Sequence, residues 1–157
     1  MDSRGSKGVA TFFVEEQPRV GGTVTLSEAA ARHAQVRRLR EGDAARVVDG
    51  AGTIGTGQLV EVHRQDPSVR LQSVESVSRL PDLTLCVPVA DRDRMLWLAE
   101  KATELGVTRW QPVQFARSRS VSPRGEGPAF AGKLRARIVS ALEQSGGAWL
   151  PEIAPEC

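Results

Sequence analysis

Cysteine is nearly absent: Cys86 and Cys157 are the only two in 157 residues. Two cysteines so placed make no disulfide framework, and a reducing cytoplasm is the expected location. Histidine is equally scarce. His33 and His63 lie far apart with no cysteine near either, so no metal site is expected. No apolar run approaches the length of a membrane span, and no membrane partner is expected. The polar start, MDSRGSKG, has no apolar signal core and reads as a frayed tail. Several generic motifs are missing as well. There is no Walker A loop, no GxGxxG after a strand and no GxSxG elbow.

What remains is ordinary globular composition, with 40% hydrophobic and 25% charged residues. The net charge is only +2, but it is unevenly spread. Arg32 to Arg46 holds five arginines against Glu41 and Asp43. Arg117 to Arg137 holds five arginines and Lys133 against Glu126 alone. Concentrated positive charge suits a phosphate-binding surface, although arginine runs also cover solvated faces.

The first half reads as short strands with turn punctuation: Ala10 to Val14, Thr23 to Leu26, Ala45 to Asp49, Ile54 to His63 and Val69 to Val77. Gly50-Ala51-Gly52 is a hairpin turn. Ser27 is a fitting N-cap for a helix from Glu28 to about Leu39, stopped by Gly42. Five such strands with one small helix suggest a compact barrel.

The pattern changes near Leu80-Pro81. Leu83 to Val89 is nearly continuous apolar sequence, as expected of a strand buried on both faces, with Pro88 at its end. Met95, Leu98, Ala99, Ala102 and Leu105 mark a helix that Gly106 stops. Trp110 to Phe115 reads as another buried strand, running parallel beside the first. Phe130, Leu134, Ile138 and Leu142 mark a second helix ending at Gly146-Gly147. Leu150 to Ile153 opens a further strand. This is the start of an α/β unit with a parallel sheet, and two helices cannot cover both its faces. The two domains are expected at 9–79 and 80–157.

Three segments carry candidate chemistry. On a helix, His33, Arg37 and Arg40 share one face, which suits phosphates and a stacked base, or equally a solvated basic surface. Lys101 and Glu104 make an ordinary i,i+3 ion pair. Glu143 and Gln144 close the last helix, as caps or as site residues.

Taken together, an ordered set of short pieces resembles one family. The pieces are Phe12-Phe13-Val14, His33 with Val36, Arg38 and Leu39, Gly42-Asp43, Val48-Asp49-Gly50 with Gly52, and Asp93-Arg94-Met95. They continue with KATELGV from Lys101, Arg117-Ser118, and EQSG from Glu143 followed by LPEI. They resemble the ribosomal RNA small-subunit methyltransferase E family from about Thr11 to Ile153.

The resemblance implies an α+β two-domain chain. An N-terminal PUA-like, RNA-binding β-barrel precedes a SPOUT-type α/β domain with a trefoil knot. It implies transfer of a methyl group from S-adenosylmethionine to N3 of a uridine in 16S ribosomal RNA of the small subunit, by a homodimer. It points to RNA binding by His33, Arg37, Arg38, Arg40, Arg117, Ser118 and Arg119. The candidate catalytic residues are Arg117, which follows a predicted strand's C-terminal end, and Glu143 and Gln144, which would position the base. Two departures stand out: Arg37 where most members have leucine, and Gly147 where most have arginine. In that family the knot and the glycine-rich cofactor loops follow the LPEI strand. The cofactor site is therefore expected beyond Cys157, with the knot region missing and the chain inactive alone. The alternative is a non-catalytic RNA-binding module.

Overall fold

The short strand-like runs of the first half and the helical spacing of apolar residues in the second both become real elements. The protein is described here by a computed structural model covering residues 8–62, 67–117 and 123–157. The chain forms two units, Met1–Val77 and Ser78–Cys157. His63, Ser118 and Arg119 lie outside the described residues.

The first unit contains β1 (Ala10–Phe13), β2 (Thr23–Thr25), α1 (Glu28–Val36), β3 (Ala44–Val48), β4 (Thr53–Val60) and β5 (Ser68–Ser76). Strands β3, β4 and β5 run antiparallel in sequence, β2 pairs antiparallel with β5, and β1 pairs parallel with β3. The order is β1-β3-β4-β5-β2. Every strand sends residues into one core, among them Phe12, Val24, Val47, Leu59 and Leu71, which Ala30 and Ala34 of α1 join. The expected barrel therefore takes the form of a five-stranded sheet curled around a single core. No ladder joins β1 to β2 among the described residues.

Two glycine-dependent features shape this sheet. The β3–β4 hairpin turns through Gly50 and Gly52, both at positive φ. The Asp49 carboxylate holds it by accepting from the backbone N–H groups of Ala51 (2.8 Å) and Thr53 (2.9 Å). The β4–β5 register slips between Thr56 and Gly57, as at a bulge. A side chain at Gly57 would run into the Arg70 carbonyl across the ladder.

Helix α1 starts as expected, with the Ser27 hydroxyl accepting from the Ala30 N–H at 3.2 Å. It ends earlier than the expected Leu39. Arg38 adopts a left-handed φ of 52°. Its N–H donates to Gln35 O (2.9 Å), and the Leu39 N–H donates to Ala34 O (3.0 Å). That pairing is a Schellman C-cap, with buried Leu39 closing over buried Ala34. The three-residue face of His33, Arg37 and Arg40 therefore does not form, because the helix stops between them.

The second unit contains β6 (Thr84–Pro88), α2 (Arg92–Glu104), β7 (Arg109–Val113), α3 (Gly127–Ser145) and β8 (Glu152–Ile153). The three strands are parallel in the order β6-β7-β8. Both helices lie on the same face, as expected where the usual right-handed crossovers join strands added in one direction. There Val87, Met95, Ala99, Trp110, Phe130, Leu134 and Ile138 share one core. Fully burying each large apolar side chain of this set contributes roughly 1.5–3 kcal/mol.

This corrects the reading of two strands buried on both faces. Leu85 and Val87 turn toward the helices, while Thr84, Cys86 and Pro88 are exposed. In β7, Trp110 is buried, but the strand ends at Val113 and Phe115 beyond it is 52% exposed. Both helices lie on one side, so an apolar run in this sheet alternates in burial. Pro88 does close β6, and Leu150 to Ile153 does lead into a strand.

Candidate RNA-binding and catalytic residues

In the first unit the basic residues gather where α1 ends. Half-buried His33 sets its ring edge-on to Phe12, with centroids 6.1 Å apart and planes at 82°. Arg37 turns back along the chain and donates to Gly8 O at 3.1 Å. The Schellman turn sends Arg38 and Arg40 elsewhere, onto a cleft of about 600 Å³ with Gln35, Leu39, Glu41 and Val62. The Arg40 backbone N–H donates to the Asp43 carboxylate at 2.8 Å, which fixes the turn. Of the four residues predicted in this segment, the structure brings Arg38 and Arg40 together on one cleft. Arg37 is tied to Gly8, and His33 packs on the core.

In the second unit Arg117 is exposed in the turn after β7, past the carboxyl ends of the parallel strands. Glu143 and Gln144 lie in the last turn of α3. Gly146, at φ 71°, and the Ser145 hydroxyl close that helix onto Leu142 O at 3.1 and 3.3 Å. Gln144 donates to the Ser140 hydroxyl at 3.4 Å. It lines an α2–α3 cleft of about 470 Å³ with Leu96, Glu100, Lys133, Arg137 and Ser140. Arg117 is not among the residues lining that cleft.

An ion-pair chain runs along the cleft. Arg137 pairs with Glu100 at 2.9 Å, Glu100 with Lys101 at 3.0 Å, and Lys101 with Glu104 at 3.0 Å. The Arg137 hydrogen bond first, and then that of Lys101, hold the Glu100 carboxyl below the usual range. Hydrogen bonds from Glu104 and then Glu100 push the Lys101 ammonium up.

The sequence reading counted Arg124 in the second arginine cluster but missed Arg92 and the pairing of their segments. Backbone bonds tie the segment before α3 to the loop after β6: Arg92 N–H to Pro123 O (3.1 Å) and Gly125 N–H to Ala90 O (3.0 Å). Asp91 and Arg124 face each other in an isolated bridge. Backbone bonds thus bring the segments of Arg92 and Arg124 together, though the two stand 32 positions apart in sequence, and the Arg124 guanidinium pairs with Glu126 at 3.3 Å. Only tertiary pairing reveals this.

A curled sheet with a basic turn, followed by a parallel α/β unit with arginines at its carboxyl edge, suits a phosphate-bearing partner. Comparison with known families agrees. A model of an RNA methyltransferase domain matches residues 78–157, and a model of an RNA methyltransferase PUA domain matches residues 26–72. The chain belongs to the RNA methyltransferase family.

Within it, the chain is similar to the ribosomal RNA small subunit methyltransferase E of Synechocystis. Identity is 28% over 145 residues, covering 91% of this chain and 46% of that protein. It is also similar to a solved ribosomal RNA small subunit methyltransferase E from Neisseria gonorrhoeae bound to S-adenosyl methionine. There the TM-score is 0.83 and the identity 26%, over 95% of this chain and 62% of that one. A predicted RNA methyltransferase from Thermotoga maritima matches with a TM-score of 0.72 and 26% identity, over 94% and 65%. These matches bear out the family resemblance carried by the motifs. The chain spans less than half the length of the curated relative and less than two thirds of each of these solved ones.

Proposed function

We propose that this chain is the RNA-binding domain and the first part of the catalytic domain of an S-adenosylmethionine-dependent methyltransferase. Its target is N3 of a uridine in 16S ribosomal RNA. The observation that carries this reading is the order of the two family matches, PUA at 26–72 and methyltransferase at 78–157, across both units. On this reading 9–79 is a PUA-like barrel, 80–157 opens a SPOUT-type knotted domain, and the enzyme works in the cytoplasm as a homodimer.

Uracil N3 lies on the Watson–Crick edge, so the base must be unpaired or turned out before it reacts. N3 must also shed its proton. The Arg117 guanidinium stabilises the uracil anion or orients a flanking phosphate, though it is a poor proton acceptor, and Ser118 and Arg119 bind the RNA. Glu143 and Gln144 position the base. Arg38 and Arg40 hold RNA phosphates in the first unit, with His33 and Arg37 behind them.

The described clefts do not fit the cofactor. Arg38, Arg40 and Glu41 line one, Glu100, Lys133 and Arg137 another, and Glu15, Glu16 and Ser27 with Phe13 and Leu26 a third. None of the three is an enclosed apolar slot of the kind that buries an adenosine. Residues 1–157 alone are expected to transfer no methyl group to small subunits lacking the modification; labelled uridine N3 would refute this. The same misfit favours, as a second reading, a non-catalytic RNA-binding module.

The test common to both readings is RNA binding. The chain is titrated with a labelled 16S RNA fragment across a salt series. Affinity should fall steeply with salt, and Arg38→Gly with Arg40→Ala should weaken binding and flatten the slope by about 0.7 per lost contact. Glycine is chosen at Arg38 because it suits the left-handed cap. An unchanged slope would remove Arg38 and Arg40 from the RNA face.

A further inference from the structure

The α2–α3 cleft has a property that neither family match assigns. Three cations, Lys133, Arg135 and Arg137, fall within two turns of α3, and the helix carries one acid, Glu143. Lys133 and Arg137 are an i,i+4 pair lining the same cleft, so their cationic ends lie about one helical turn apart. The carboxylate facing them is already engaged. Glu100 accepts from Arg137 at 2.9 Å and from Lys101 at 3.0 Å. Arg137 is thereby ion-paired, so a phosphate entering the cleft meets the charge of Lys133 first and competes with Glu100 for Arg137. Lys133 has no ion-pair partner among the described residues, and its charge is available. Ser140 and Gln144 extend the same row with uncharged donors.

Beside this row lies an unusual exposed aromatic. Trp97 stands three residues before Glu100 on α2, which makes the two neighbours on the helix surface, and it is 60% exposed. Arg94 and Lys101 flank it at i−3 and i+4. A row of cations beside an open aromatic face is the combination that holds a single strand, with phosphates on the cations and a base stacked on the ring.

We propose that the α2–α3 cleft is a second RNA contact, taking single-stranded RNA with Lys133 and Arg137 on the backbone and Trp97 under a base. It rests on the RNA-methyltransferase reading and extends it to a surface apart from the Arg38–Arg40 cleft. Its role is to hold the strand that flanks the target nucleotide.

The test uses the whole chain and a fluorescein-labelled oligouridine, with affinity measured against potassium chloride concentration. Lys133→Ala with Arg137→Ala should lower the salt slope by about 0.7 to 1.4, the value for one contact at Lys133 and up to one more where phosphate displaces Glu100 from Arg137. Trp97→Ala should weaken binding about tenfold and leave the slope unchanged, because stacking releases no counterions. Lys133→Ala alone breaks no hydrogen bond or ion pair among the described residues and should lower the slope by about 0.7, which guards against a folding artefact. If the wild-type chain binds no RNA, the methyltransferase reading falls along with this one. If it binds and the α3 variants keep the wild-type slope, this inference alone is overturned. It is overturned too if Trp97→Ala changes only the oligomeric state on a sizing column, since the face would then be a protein interface.

Discussion

Replacing Gly57 by alanine tests whether the curl of the first unit depends on one bulge. The added methyl would sit far inside contact distance of the Arg70 carbonyl, with Leu71 Cα behind it at 3.0 Å. Both obstacles are backbone, so no side-chain rotation relieves them. By contrast, a methyl at Gly55 meets only side-chain tips of Leu71 and Val47, at 2.9 Å. The strands must separate locally at Gly57, which breaks the ladder on either side of the bulge. Two lost hydrogen bonds at about 1 kcal/mol each, with loosened packing around nearby Leu71, give roughly 2–4 kcal/mol. For a unit of this size that lowers Tm by about 10–25 °C. Far-UV circular dichroism through thermal and urea unfolding reads it. A loss below about 0.5 kcal/mol would show that the bulge has room to slide, and the argument from Arg70 would be wrong.

Three other outcomes follow from the second unit. Gly132 lies in α3 with open space at its Cβ position and no positive φ, so Gly132→Ala should stabilise by about 0.5–1 kcal/mol in urea unfolding. Ile138, 2% exposed in the α2–α3 core, should cost about 2–5 kcal/mol as alanine. Trp97, Trp110 and Trp149 all lie in this unit, so their emission reads that loss directly. Finally, the Glu100 carboxyl is held below its usual value of 4.5. Its ion pairs stabilise fully above that value and are lost as pH falls through the lowered one. Glu100→Gln should therefore be less stable than wild type at neutral pH, with the gap closing in acid; a gap independent of pH would exclude charge as its cause.

Much of the fold was legible because it is local. Short β-prone runs between turn signals located all five strands of the first unit, Ser27 announced its helix, and the i, i+3, i+4 spacing of Met95 to Ala102 announced α2. The early end of α1 was not legible, since an arginine occupies the left-handed cap where glycine would have signalled the stop. Nor was the burial of β6. An apolar run records the hydrophobicity of a strand, whereas the number of layers packed on it is set by crossover handedness and strand order. The candidate site divides along the same line. Arg38 and Arg40 are near neighbours in sequence and were found there. Arg92 with Arg124, and Glu100 with Arg137, are joined only by backbone pairing or helix packing.

The one-sided helix packing of the second unit makes Cys86 a chemical reporter. Its thiol is exposed and unbonded on the β6 face opposite α2 and α3. An exposed thiol is open to alkylation by a small maleimide, which reacts with the thiolate. The other thiol, Cys157, lies against Gln111 and Pro112 of β7. A Cys157→Ser chain would therefore leave one labelling site, at a known register on a known strand. Its alkylation rate in the isolated chain, set against the rate in any longer polypeptide carrying the same residues, measures how far that face is screened.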